Sequence, residues 1–265
     1  MSHLSTPSVQ NAVQLEMRGS VALIRLCRPA KRNALNDGLI LALRDMFQHL
    51  PKEARAAVIH GEGEHFCAGL DLSELQERDA GEGVHHSRLW HSALECIEKG
   101  TVPVVAALHG AVVGGGLELA MAAHVRVADE TVVCGLPEGQ RGIFVGGGGT
   151  VRIQRVVGTT VMMDMMLTGR LLNATESERE HIVRYVVPAG QALEKARAIA
   201  ERIGNNSLDT NWMIINVLPR VQDLSHDDGL FMEQLNSARA RPPEAEARLR
   251  EFVDGKARKL QENQA

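Results

Sequence analysis

The stretch that decides the fold is PVVAALHGAVVGGGLELAMAAHVRVA, residues 103–128. The apolar run at residues 102–108 predicts a buried strand. Gly114, Gly115 and Gly116 interrupt the pattern, and LELAMAAHVRVA then has the spacing of a helix followed by another strand. A strand, a glycine turn, a helix and a second strand in one continuous stretch predict an α/β architecture.

The sequence before this stretch extends the alternation of strands and helices. Residues 12–17 and 21–26 are strand-like runs around Arg18-Gly19, which predicts a hairpin, and residues 56–60 predict a short buried strand. Asn36 is a candidate N-cap for a helix that continues to residue 50, and residues 83–99 predict another helix. Alternation of this kind over the first 150 residues predicts mostly parallel strand pairing.

The remainder of the chain is predicted to be mainly helical. After Thr150 only residues 183–187 look extended. Helices are predicted at residues 150–158, 160–169, 174–182, 191–205, 208–218, 229–240 and 243–260. We therefore divide the chain into an α/β core, residues 1–200, and a C-terminal helical region, residues 201–265. Helices that do not complete the core must bury their apolar faces elsewhere, and a second copy of the chain is one candidate.

Composition excludes several classes of protein. The 265 residues carry a formal net charge of −4 and only 3% of them are aromatic, so neither a basic field nor a base-stacking platform for nucleic acid is expected. No apolar run is long enough for a membrane span, and no secretory signal is visible. The four cysteines include no CxxC pair, which predicts reduced thiols in a cytoplasmic protein and no metal site. Glycine is in surplus, and the excess lies in two clusters, residues 114–116 and 146–149.

Two glutamates stand beside these glycine clusters. Glu118 lies in GGGLELAMAA, residues 114–123, and Glu138 follows twenty residues later in GLPEGQRGIFVGGGG, residues 135–149. Two carboxyl groups in an apolar pocket can act as acid and base at a carbon next to a carbonyl, because burial raises their pKa values and lets one stay protonated. The residues alone also allow a plainer interpretation, in which Glu118 is a helix-start residue and Glu138 pairs with Arg141.

Two turns are candidates for binding a negative charge. HFCAGLD, residues 65–71, and Gly114-Gly115-Gly116 each lead into a predicted helix, whose first N–H groups have no partner within the helix. Two such N–H groups would form an oxyanion hole for a thioester enolate. The alternative is that both are tight turns that bind nothing. His86 and His91 are poorly placed to share a metal and are predicted to be surface or pocket-lining residues.

Five segments, taken in order and spacing, resemble the crotonase, or enoyl-CoA hydratase/isomerase, superfamily over most of the chain. They are RPAKRNALN (28–36), HFCAGLDLSEL (65–75), the stretch at 103–128, GLPEGQRGIFVGGGGTVRIQRVVG (135–158) and LTGR (167–170). The resemblance implies a spiral of ββα turns followed by a helical trimerisation region, and a homotrimer or a hexamer made as a dimer of trimers. It also implies an acyl-CoA substrate and no separate cofactor, because coenzyme A is part of the substrate.

The resemblance also assigns the catalytic groups. The backbone N–H groups of Leu70 and Gly115 match the oxyanion hole, and Glu118 and Glu138 match the two hydratase carboxylates. The implied reaction is syn addition of water across the double bond of a short-chain 2-enoyl-CoA. Both glutamates hold the attacking water, and Glu138 is similar to the residue that delivers a proton to the α-carbon.

The coenzyme A contacts follow from the same resemblance. Ala68 matches the residue that contacts adenine, and the segment carrying Lys31, Arg32 and Ala34 lies along the nucleotide part of coenzyme A. Asp71 is assigned to the same set. The C-terminal FVDGKARKL, residues 252–260, is only loosely similar to the family's usual end, so the contact expected there, from Lys256 or Lys259, is left open.

The acyl group is less well defined. Phe144-Val145-Gly146 stands where many members carry proline, which predicts a difference at the acyl end of the pocket. AGLDLSELQERDAGEG, HSRLWH and LPEGQRGIFVGGGGTVR resemble the bacterial methylthioacryloyl-CoA hydratases of dimethylsulfoniopropionate breakdown, whose hydrated product releases methanethiol, acetaldehyde and coenzyme A. The alternatives are a Δ3,Δ2-enoyl-CoA isomerase and a non-catalytic CoA- or RNA-binding relative.

Overall fold

A computed structural model describes residues 12–74 and 79–239, together with residues 246, 250, 253 and 254. The chain divides into two compact units, residues 1–204 and 205–265. The helix predicted at residues 243–260 falls almost wholly outside the described residues, as do Lys256 and Lys259. The sequence-based division after residue 200 would fall within the last helix of the first unit, which continues to Gly204.

The first unit is built on two sheets. The larger has the order β1-β2-β3-β4-β6-β9 and the smaller has the order β5-β7-β8. The strands are β1 (Val13–Arg18), β2 (Val21–Leu26), β3 (Ala56–Gly61), β4 (Val104–Leu108), β5 (Ala111–Val113), β6 (Val125–Asp129), β7 (Val133–Gly135), β8 (Leu171–Leu172) and β9 (Tyr185–Val187). In the larger sheet β1 and β2 form the predicted antiparallel hairpin, and every other neighbouring pair is parallel, as predicted.

Both faces of the larger sheet are buried, as is usual for parallel sheets. Along β2, Ala22 and Ile24 face one core while Val21 and Leu23 face another. The first core contains the apolar faces of the helices at residues 37–48, 80–98 and 115–122, and the second is covered by the helix at residues 192–204. This double burial explains why the strands are apolar runs rather than alternating ones.

Eight α-helices occur among the described residues. They are α1 (Asp37–Gln48), α2 (Ala80–Glu98), α3 (Gly115–Ala122), α4 (Gly149–Thr168), α5 (Ala174–Arg179), α6 (Ala192–Gly204), α7 (Leu208–Val221) and α8 (His226–Arg239). The start predicted for α2 is three residues too late, because Asp79 and Glu82 form a capping box that begins the helix at Ala80. The two helices predicted at 150–158 and 160–169 form α4, which Gly158 interrupts with a φ of 78°. In the described part of the chain no helix is both long and apolar enough to cross a membrane.

The smaller sheet was not predicted, although it positions the candidate site. Its strands are two or three residues long, so a period-2 pattern has no room to appear. The loop after β3 lies against β5, where the Cys67 N–H donates to the Ala111 carbonyl at 3.0 Å and the Val113 N–H donates to the Cys67 carbonyl at 3.1 Å. These bonds bring the loop at residues 65–71 beside the glycines that open α3.

Candidate active site

The two predicted anion-binding turns lie next to each other. A methyl group placed on Gly116 would overlap the Cys67 carbonyl oxygen, and one placed on Gly69, whose φ is 94°, would lie 2.7 Å from the Val113 carbonyl oxygen. Only residues without a Cβ allow the two backbones to approach this closely. The glycines at these positions are therefore required for the juxtaposition of the two turns.

The backbone nitrogens of Leu70 and Gly115 both lie at this junction. A Cβ built on Gly115 would be 3.7 Å from the Leu70 nitrogen, 3.6 Å from Leu35 and 3.3 Å from the Trp90 ring. Among residues 12–74 and 79–239 neither N–H has a hydrogen-bond acceptor, whereas the next N–H, that of Asp71, donates to the Leu35 carbonyl at 2.8 Å. Two N–H groups left without acceptors beside an apolar wall have the arrangement of an oxyanion hole.

Glu118 lies in the first turn of α3 and is only 3% exposed. Its Oε1 accepts hydrogen bonds from the Gly147 N–H at 2.8 Å and the Gly149 N–H at 2.7 Å. Burial raises the pKa of this carboxyl, while the Gly149 and Gly147 donors and the nearby Arg152 guanidinium act to lower it. One oxygen of this carboxyl is thus fixed by two backbone donors.

The glycine cluster at residues 146–149 packs closely around this carboxylate. A Cβ on Gly147 would lie 3.1 Å from Glu118 Oε2, and one on Gly149 would lie 2.9 Å from Oε1. On the outer side of the loop Arg152 donates to the Gly147 carbonyl at 2.8 Å and forms an ion pair with Glu98 at 2.9 Å. The second glycine cluster therefore forms the binding site for a single carboxylate.

Two residues of α2 complete the surroundings of the glutamates. Ser87 Oγ donates to the Gly146 carbonyl at 2.7 Å, and the Trp90 indole N–H donates to Asp37 at 2.9 Å. Sequence reasoning did not assign roles to Ser87, Trp90, Glu98 or Arg152, because nothing in their local patterns links them to residues about 50 positions away. His86, predicted to line a pocket or the surface, bonds to the same Asp37 oxygen as Trp90, at 2.6 Å.

Glu138 occupies a short 3₁₀ helix, Pro137–Arg141, and is 7% exposed. Its Oε1 lies 2.7 Å from the position that a Cβ on Gly114 would take, which places the carboxyl beside the glycines that open α3. Its Oε2 is buried and has no hydrogen-bond partner. No ion pair joins Glu138 to Arg141 in the described residues, so the plainer interpretation of Glu138 as one half of a salt bridge is wrong.

The two carboxyl groups have different electrostatic surroundings. Burial raises the pKa of Glu138, the negative charge of Glu118 raises it further, and only its own N–H and Arg141 act in the opposite direction. Glu118 has two backbone donors on one oxygen, whereas Glu138 Oε2 has none. Hydrogen bonds stabilise the charged form, so Glu118 is the better candidate for a base and Glu138 for a protonated acid.

The segments predicted to contact coenzyme A lie side by side. The Ala68 N–H donates to the Arg32 carbonyl at 3.0 Å, and the Leu35 N–H donates to the Gly69 carbonyl at 2.7 Å. Arg32 and Ala68 line a cavity of about 510 Å³, and the Lys31 side chain is half exposed. Three of the five predicted contacts are therefore accessible to a ligand.

Ala34 and Asp71, the other two, face the protein instead. The Ala34 carbonyl accepts from Arg28 at 2.7 Å. Asp71 is only 5% exposed and bonds to Arg28 and Ser73, with the Lys31 ammonium 3.6 Å away. Although burial alone would raise it, the Ser73 and Arg28 hydrogen bonds and the Lys31 charge lower the pKa of Asp71 to about 2. Direct contact between this buried anion and a phosphate would be repulsive, and its contacts instead hold the neighbouring cations.

Comparison with known proteins identifies the family of this chain. The sequence matches the model of the family described as Enoyl-CoA hydratase/isomerase over residues 16–238. The chain belongs to the enoyl-CoA hydratase/isomerase family. The resemblance to the crotonase superfamily is confirmed, and so is the predicted mixed α/β fold.

Individual members of the enoyl-CoA hydratase/isomerase family match along most of their length. A solved structure from Rhodopseudomonas palustris CGA009, provisionally named an enoyl-CoA hydratase, has a TM-score of 0.90 and 49% identity, covering 92% of this chain and 95% of its own. The 2,3-dehydroadipyl-CoA hydratase of Escherichia coli (strain K12) is 34% identical over 81% of this chain and 84% of its own. The short-chain-enoyl-CoA hydratase of Clostridium acetobutylicum is 33% identical over 74% and 77%.

Proposed function

We propose that this chain is a hydratase that adds water to the double bond of a 2-enoyl-CoA thioester. The observation that carries the proposal is a pair of buried carboxyls with different hydrogen bonding. Glu118 accepts from two N–H groups, whereas Glu138 has an oxygen without a partner. The Leu70 and Gly115 N–H groups, which have no acceptor among the described residues, complete the site. An acid, a base and an anion site are the three groups that addition of water to a conjugated thioester needs.

Glu118 takes a proton from water as the water oxygen bonds to the β-carbon. The electron pair of the double bond moves toward the thioester oxygen, where the Leu70 and Gly115 N–H groups stabilise the enolate. Glu138 then donates its proton to the α-carbon. The product contains one added water, and proton exchange with solvent returns Glu118 to the carboxylate and Glu138 to the acid.

The relatives support this assignment. Both curated relatives named above are hydratases of CoA thioesters by name. The cavity beside Arg32 and Ala68 would admit part of a coenzyme A moiety, so we infer an acyl-CoA substrate and no separate cofactor.

Purified protein and crotonyl-CoA test the proposal. Hydration removes the conjugated double bond, so the absorbance of the unsaturated thioester should fall. Glu118→Gln and Glu138→Gln are each expected to lower kcat by about 10²–10⁴, the usual contribution of an acid or base. Full hydratase activity in Glu118→Gln would show that the two-carboxylate mechanism is wrong.

The same assay separates the alternatives. A Δ3,Δ2-isomerase would gain conjugated absorbance from a 3-enoyl-CoA and would not hydrate crotonyl-CoA. A non-catalytic CoA- or RNA-binding relative would turn over neither substrate, and salt-sensitive RNA retention on a filter would identify the latter.

Two further proposals concern the acyl group of the substrate and the oligomeric state of the chain. We propose methylthioacryloyl-CoA as one short-chain substrate. Measuring the release of methanethiol from methylthioacryloyl-CoA, beside the formation of product from crotonyl-CoA, tests this directly.

We also propose a homotrimer or a hexamer in the cytoplasm. Light scattering on the full chain would give the mass, and a monomer would contradict the trimerisation role of the C-terminal helices.

A further inference from the structure

The cavity of about 510 Å³ has a second arginine in its lining, Arg141, for which sequence reasoning predicted no ligand contact. Its lining includes Arg32 and Ala68 from the two side-by-side loops. The same lining includes Pro137, Gln140 and Arg141 from the 3₁₀ helix that carries Glu138. The cavity therefore lies between the predicted nucleotide segment and the acid of the proposed reaction.

Arg32 and Arg141 differ from other cations of the same unit. Arg28 and Lys31 are paired with Asp71, and Arg152 is paired with Glu98. Within the described residues neither the Arg32 nor the Arg141 side chain forms an ion pair or a hydrogen bond. Two guanidinium groups without partners on one cavity favour a ligand that brings negative charge of its own.

The backbone at Arg32 is held in an uncommon conformation. Arg32 and Asn33 have φ values of 50° and 55°, in the left-handed region that residues with a Cβ seldom adopt. The Asn33 amide fixes this turn by donating to the Glu62 carbonyl at 2.9 Å and the His65 carbonyl at 2.7 Å. Strained backbone that is bonded this thoroughly is typical of ligand-binding loops.

We propose that Arg141 binds the phosphate-bearing nucleotide part of the acyl-CoA together with Arg32, which lines the same cavity. The proposal rests on the proposed function, and it adds a contact that the resemblance does not supply, since the resemblance places the nucleotide contacts on the loops at 28–36 and 65–71. The planar fork of a guanidinium suits phosphate oxygens, and two guanidinium groups in one cavity would bind one phosphate group or two adjacent ones.

Two substrates that differ only in the nucleotide provide the test. Crotonyl-CoA carries the phosphates, and crotonyl-pantetheine carries the same reacting thioester without them. Arg141→Gln is expected to raise KM for crotonyl-CoA about tenfold, the usual effect of losing one charge-assisted hydrogen bond. The same variant should leave KM for crotonyl-pantetheine at the wild-type value, and Arg141→Lys should restore part of the KM for crotonyl-CoA. The Arg141 charge also acts on the pKa of Glu138, so any change in kcat should be the same for both substrates.

A matched control removes the same charge elsewhere. Arg184→Gln, on an exposed position outside the cavity, should change neither constant for either substrate. If Arg141→Gln raises KM for crotonyl-CoA and crotonyl-pantetheine equally, Arg141 acts on the acyl group or on the fold of the site and the proposal is wrong. An unchanged KM for crotonyl-CoA also overturns it. Failure of the proposed function looks different, because wild-type protein would then turn over neither thioester.

Discussion

Replacing Gly149 by alanine should damage catalysis while leaving the fold intact. The new Cβ would lie 2.9 Å from Glu118 Oε1, closer than Cβ atoms approach other heavy atoms in proteins, and 3.0 Å from its Cγ. The carboxylate is at the end of a side chain, so it can move aside without displacing the backbone. Moving it lengthens the bonds from the Gly147 and Gly149 N–H groups, now 2.8 and 2.7 Å.

The size of the effect follows from these bonds. A hydrogen bond to a charged acceptor contributes about 1.5–3 kcal/mol, so loss of one such bond in the transition state lowers kcat about 10- to 100-fold. A misplaced base loses activity on a similar scale, because a shift of about 1 Å can cost about 10²-fold. Stability should fall by about 1–2 kcal/mol, because the lost hydrogen bond is offset only in part by the restriction that alanine places on the unfolded chain.

Gly146→Ala is the matched control in the same glycine cluster. A Cβ there meets only Ser87 Oγ, at 3.8 Å, which is an ordinary contact. Both variants lose the same unfolded-state entropy, so the difference between their melting temperatures reports only the weakened Glu118 hydrogen bonds. Steady-state hydration of crotonyl-CoA should separate them, with Gly146→Ala close to wild type. Equal kcat values for the two variants would refute the idea that the loop amides position Glu118.

Three further changes test the electrostatics of the site. Glu138→Gln should raise Tm at neutral pH although it lowers kcat, because burial raises the folded-state pKa of Glu138 and disfavours its ionisation. The gain in Tm over wild type should disappear as the pH falls below the ordinary glutamate pKa, and a gain that persists in acid would contradict this. Arg152→Met should lower kcat about tenfold through loss of the donor to the Gly147 carbonyl, with Arg152→Lys intermediate. Because the Arg152 charge lowers the pKa of Glu118, the acid limb of the pH profile of kcat should move to higher pH in Arg152→Met. Asp71→Asn should lower Tm at pH 7, because the folded pKa of Asp71 is about 2, below the ordinary 3.8. The stability that the ionised Asp71 contributes is present above that ordinary value and is lost toward pH 2. Melts that show no difference at neutral pH would indicate that the Arg28 and Lys31 contacts are not stabilising.

Much of the fold was predictable because its signals are local. The apolar run at β4, the glycine triplet and the helix after it are read from neighbouring residues, and the larger sheet follows from their repeated alternation. The smaller sheet could not be predicted, since β5, β7 and β8 are too short to show a period. Those strands are stabilised by pairing between distant segments, which a single stretch of sequence does not encode.

The sequence by itself determined which residues are available to the chemistry. It identified Glu118, Glu138 and the glycines around them, and with the family resemblance it identified Leu70 and Gly115. Only the tertiary structure decided how the two carboxyls differ. Glu118 receives its donors from residues 29 and 31 positions away, and Glu138 Oε2 is buried without one. Desolvation and hydrogen bonding depend on which distant segments pack together, and these two effects set which carboxyl holds the proton.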